Sequence, residues 1–149
     1  MADYSNLPRV RGELLEVRPG RHLSVAHQPG GDTVVFFGHG GGGNKDQWRE
    51  LWRDLGDQGH TLVAWDLLGH GESDKPRKPQ AYAWDELVAD ELAVLRRYGG
   101  ERNIIVAHSF GTGLVEPAGV DTGIVAVAVV PRLSRAGLAS RSGSSAGGL

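Results

Sequence analysis

Ser109 lies in the stretch AHSFG, Ala107 to Gly111, where an apolar run gives way to a histidine, a serine and a nearby glycine. A serine oxygen becomes a useful nucleophile when it is exposed on a tight turn beside a base, and small neighbours let the backbone make that turn. The pattern therefore makes Ser109 a candidate nucleophile, and the competing reading is a plain helix N-cap, a place serine also favours. Two other stretches carry chemistry. GHGGGG, Gly38 to Gly43, has five glycines in six positions, so backbone N–H groups there can approach an anion closely. DLLGHGESD, Asp66 to Asp74, adds carboxylates and His70. His39, His70 and His108 each sit inside a loop motif where a structural hydrogen bond explains them better than catalysis. Asp66 and Ser73 read as loop-fixing residues through side-chain to backbone bonds.

Each of these stretches follows a short run suited to a strand. TVVFF (Thr33 to Phe37), TLVAW (Thr61 to Trp65) and NIIVA (Asn103 to Ala107) are apolar, rich in β-branched and aromatic residues, and bounded by polar or glycine positions. Such runs suit parallel strands buried on both faces. Between the first two, Trp48, Leu51, Trp52 and Leu55 recur at helical spacing, with Asn44 and Gln47 placed as a capping box. Between the second and third, Trp84, Leu87, Val88, Leu95 and Tyr98 form a second apolar stripe, with Gly99 as its stop. Upstream, the turn signals Pro19-Gly20 and Pro29-Gly30-Gly31 frame an antiparallel hairpin at the sheet edge. Strand, helix, strand, helix, strand is the order of an α/β fold, whose chemistry gathers in loops at the carboxyl ends of the strands.

Composition narrows the function classes. The chain has 149 residues, a formal net charge of −2 and no cysteine, which excludes disulfides and thiolate chemistry and gives no general reason to expect nucleic acid or an acidic membrane surface. No apolar run reaches membrane-spanning length and the N-terminus lacks the apolar core of a secretory signal, so a cytoplasmic protein is expected. Residues 1–115 mix charged, aromatic and apolar residues in the ordinary way, whereas from Glu116 onward there is no Lys, His, Phe, Tyr or Trp. Three regions are expected: 1–115 as the front of one α/β domain, 116–131 as irregular with one strand in GIVAVAVVP, and 132–149 as a disordered Arg/Ser/Gly/Ala-rich tail.

The loops together resemble the α/β-hydrolase superfamily in its serine-nucleophile branch, over roughly residues 11 to 114. The resemblance rests on His39-Gly40 with Trp48 eight positions after the glycine, on D-x-x-G-x-G-x-S from Asp66 to Ser73, and on AHSFG after the next strand. One position departs from the family's G-x-S-x-G elbow, since Ala107 stands where the first glycine is usual. By resemblance, Ser109 is the nucleophile, and the backbone N–H groups of Gly41 and Phe110 form the oxyanion hole. The implied reaction is hydrolysis of an ester, thioester or amide in a small acyl substrate through an acyl-enzyme, with no metal or organic cofactor. The branches that open epoxides or remove halides are disfavoured, because their elbow carries a carboxylate.

The family's order is serine, then acid, then histidine, yet no histidine follows His108, and Pro117 and Gly119 interrupt the helix expected after the elbow. The hydrolase pattern is expected to stop near Leu114 or Val115, with unrelated or out-of-frame sequence beyond, so that the chain alone is inactive. One alternative is a pseudoenzyme or binding module. Another is a dinucleotide-binding Rossmann-like module, because Gly38 to Gly43 also satisfies G-x-G-x-x-G and Asp66 ends the next strand, where a ribose-binding acid would sit. That reading leaves GHGES and AHSFG unexplained. A Walker loop fails, since Asn44 separates Lys45 from Gly43 and Asp46 follows the lysine. The sequence does not determine the acyl group or the oligomeric state.

Overall fold

The computed structural model describes residues 6–108 and, as backbone, a strand at 124–130. Its elements run β1 (Glu13–Arg18), β2 (Arg21–Gln28), β3 (Thr33–Gly38), α1 (Arg49–Asp57), β4 (Thr61–Trp65), α2 (Trp84–Tyr98), β5 (Arg102–His108) and β6 (Ile124–Val130). One sheet holds the strands in the order β1-β2-β4-β3-β5-β6. The β1–β2 and β2–β4 pairs are antiparallel, whereas β3 pairs in parallel with both β4 and β5, and β5 in parallel with β6. The three strands read from the sequence and the edge hairpin are thus present, and the strand expected in GIVAVAVVP lies beside β5. Ser109 and Phe110, the rest of segment 116–131 and the tail expected at 132–149 fall outside the described residues.

Alternation along the central strands divides the core into two layers. Phe36, Val63, Trp65, Ile105 and Ala107 face one side, where Leu87, Val94 and Leu95 of α2 cover them. Val35, Phe37, Leu62, Ala64 and Val106 face the other, against Trp48 and the half-buried Trp52 and Leu55. Both faces of β4 are buried along its whole length, which is why its sequence has no polar alternation. Full burial of side chains this size contributes roughly 1.5–3 kcal/mol each, so these layers fix the register that brings the loops together.

Four local details depart from the sequence reading. The helix expected from Asn44 begins as a 3₁₀ turn, Lys45–Trp48, before α1 proper. Asn44 does cap it, but its side chain accepts from the Asp46 N–H at 2.9 Å, not in the reciprocal arrangement with Gln47 that the spacing suggested. Trp84 and Leu51, placed on apolar stripes by their spacing, are 44% and 40% exposed. In α2, Asp90 and Glu91 are buried instead. Asp90 earns that place by accepting a two-pronged contact from Arg21, at 2.6 Å on each oxygen, and a further bond from Arg18 at 2.8 Å. These bonds pin α2 to the β1–β2 hairpin.

Candidate active site

The parallel register places three chain exits side by side. Gly38 at the end of β3 is level with Trp65 at the end of β4 and with Ala107, one residue before β5 ends. β3 runs into the glycine loop, β4 runs into the acidic loop and β5 ends at His108, directly before Ser109 in the sequence, so the three strand ends lie side by side at one end of the sheet.

Asp66 organises that end. It is fully buried, accepting from the backbone N–H of Lys45 at 2.7 Å and of Glu72 at 3.0 Å, and from Lys45 Nζ at 2.8 Å. Burial pushes its carboxyl up, but the Glu72 and Lys45 donors outweigh burial and hold it below the ordinary carboxylate range. Lys45 is itself 3% exposed and also reaches Glu72 at 3.3 Å. The chain closes tightly around this pair: Gly71 has φ +50, and a Cβ there would lie 2.2 Å from Asp66 Oδ2, so only glycine fits. Ser73 completes the knot by donating to the Asp66 carbonyl at 2.6 Å and accepting from the Ser24 N–H at 2.8 Å. Asp66 and Ser73 are therefore the scaffold residues the sequence suggested. Asp66 is also unavailable to a ribose, which removes the acid that the dinucleotide alternative required.

The histidines stitch the two loops together. His39 is fully buried; it accepts from the Leu67 N–H at 2.9 Å through Nε2, so its Nδ1–H donates to the Gly40 carbonyl at 2.7 Å. Burial lowers its pKa and favours the neutral ring that this arrangement needs. The Gly40 carbonyl takes a second bond from the Gly43 N–H at 3.1 Å. Carbonyl and following N–H share one peptide plane and point opposite ways. Two donors on the Gly40 oxygen therefore turn the Gly41 N–H outward, and it has no hydrogen-bond partner among the described residues. Gly41 is exposed. The glycine loop thus holds an exposed N–H without a partner among the described residues at Gly41, the position expected for the oxyanion hole.

The ring nitrogen His108 Nδ1 is buried without a partner among the described residues. Ser109 and Phe110, the other two expected site residues, follow it in sequence and lie outside the described residues. Lys45 is the site residue that sequence reasoning missed as a buried ion-pair partner, since a lysine after a glycine run carries the signature of an exposed helix start. Two clefts of about 450 and 480 Å³ lie elsewhere, one between Val10 and Trp52 and the other against Leu68 and Pro76. Among the described residues no cluster of His, Asp and Glu could hold a metal, and no helix is long and apolar enough to cross a membrane.

Known proteins are similar to this chain in sequence and fold. Protein ABHD8 of Homo sapiens is 40% identical over 80 residues, covering 54% of this chain and 18% of the relative. Epoxide hydrolase B of Mycobacterium tuberculosis is 37% identical over 101 residues, covering 66% of this chain and 28% of the relative. The crystal structure of epoxide hydrolase VrEH1 from Vigna radiata superposes with a TM-score of 0.73 at 28% identity, over 85% of this chain and 42% of that one. The chain thus spans less than a third of the length of these two curated relatives. The sequence pattern described as alpha/beta hydrolase fold matches residues 33–115, from the start of β3 to beyond the end of β5. The chain belongs to the alpha/beta hydrolase fold family.

Proposed function

We propose that this chain carries the nucleophile and the oxyanion donors of a serine hydrolase that cleaves an ester, thioester or amide. The observation that carries the reading is the free, outward Gly41 N–H at the exit of β3, beside the exit of β5 from which the sequence continues into Ser109. Ser109 Oγ attacks the acyl carbonyl, and the oxygen, as it becomes negative, accepts from the Gly41 and Phe110 N–H groups. The serine proton passes to a histidine oriented by an acid, and water then releases the acyl group. In this family acid and histidine follow the nucleophile. No histidine follows His108 here, so the reaction is assigned to a polypeptide that continues the hydrolase fold, and the 149 residues alone are expected to have background activity.

The likeness to proteins named epoxide hydrolases favours a second reading, epoxide opening. That chemistry calls for a carboxylate at the elbow, and no acidic residue lies between Ala107 and Glu116. Joining residues 1–115 to the C-terminal part of a homologous hydrolase tests the two. Expected is turnover of p-nitrophenyl esters that drops by roughly 10⁴ to 10⁶ in Ser109→Ala, the range typical of triad losses. Ester turnover that survives Ser109→Ala, or epoxide opening in its place, overturns the serine reading.

A further inference from the structure

We infer that His70 is a positioning residue for the oxyanion donor, an inference that rests on the serine-hydrolase reading of Gly41. Glycine-rich backbone is the least able to hold a donor in one direction, because each glycine has a wide range of φ and ψ to lose. Gly42 illustrates the point: its φ is +77 and no atom of the described residues lies within 4 Å of where a side chain would begin. The restraint comes from His70, whose Nε2 accepts the Gly42 N–H at 3.0 Å. An accepting Nε2 leaves the ring proton on Nδ1, which faces the Leu68 carbonyl at 3.0 Å. Both ring nitrogens are therefore committed and one tautomer is selected.

This bond has two consequences for the site. It fixes the peptide plane on the far side of Gly41, just as the Gly40 carbonyl bonds fix the plane on its near side, so Gly41 is clamped between two held planes. It also occupies the Gly42 N–H, which would otherwise be a differently aimed donor directly beside that of Gly41. His70 and His39 reach across in opposite directions with their rings 5.1 Å apart, each loop supplying the histidine that holds the other. His39 is buried within the scaffold, whereas His70 is half-buried and acts on the exposed part of the loop.

The test uses the ¹⁵N-labelled 149-residue chain. Long-range ¹H–¹⁵N spectra are expected to show neutral His70 with its proton on Nδ1. Amide exchange is expected to be at least tenfold slower at Gly42 than at its exposed neighbour Gly41, whose N–H has no partner among the described residues. His70→Ala should erase that protection while leaving the amides of α2 and of the β1–β2 hairpin unchanged, and His70→Gln, whose carbonyl oxygen replaces Nε2 as acceptor, should restore it. In the joined hydrolase the same His70→Ala change should lower kcat ten- to a hundredfold with KM nearly unchanged, and His70→Gln should recover most of the loss. A proton on Nε2, protection of Gly42 that survives His70→Ala, or a kcat indifferent to His70→Ala overturns the inference. Because Ser109→Ala should leave the Gly42 exchange rate alone, failure of the serine reading and failure of this one are separately visible.

Discussion

Lys45 and Asp66 form an ion pair with side chains only 3% and 0% exposed, which makes either partner expensive to remove alone. Asp66→Asn keeps the shape but leaves the buried ammonium with only the longer contact to the exposed Glu72 carboxylate at 3.3 Å, and breaking a buried pair costs up to about 3–5 kcal/mol. Urea unfolding should show that loss at neutral pH, and Lys45→Met added to Asp66→Asn should recover part of it. The pH dependence follows from the same group. With its folded pKa depressed, the Asp66 carboxylate contributes stability that is complete above the ordinary carboxylate range and is lost as pH falls through the depressed value. Unchanged stability in Asp66→Asn would mean that the pair does not hold the loops. None of this was legible in sequence beyond the role of Asp66, because the lysine partner lies 21 positions away and only the fold brings it in.

At the scale of elements, α2 carries a liability of the opposite sign. Glu91 is 1% exposed and its Oε2 has no partner among the described residues; burial raises its pKa to about 8. Between the ordinary glutamate value and about 8, the unfolded chain ionises while the folded one stays neutral. Glu91 therefore destabilises the fold by roughly 1.4 kcal/mol for each pH unit in that window. Glu91→Gln should be more stable than the natural chain at pH 8, with the gap closing toward pH 5; urea midpoints at the two values read it directly, and a gap independent of pH would contradict the assignment. Periodicity located α2 correctly, since fifteen residues from Trp84 to Tyr98 match the helix read from sequence. Its buried face was less legible. Asp90 is inward because Arg21 on β2 neutralises it, and no spacing within one helix reveals a partner on another element. The elbow turn, legible as a motif in AHSFG, lies outside the described residues.

For the whole molecule, the family's division of labour sets what this chain contributes. β3 and β4 deliver a fixed donor and the scaffold that aims it, and β5 ends at His108, directly before Ser109 in the sequence. The acid and the histidine come later in the family's order, and the chain spans only 42% of VrEH1. The most direct test of the central claim, that Ser109 is the nucleophile, is intact-mass and peptide analysis after treatment with a fluorophosphonate. The joined hydrolase is expected to gain one adduct, mapped to Ser109, at a rate far above that of the 149-residue chain, and Ser109→Ala should gain none. An adduct on any other residue, or equal labelling of the Ser109→Ala variant, would contradict the account.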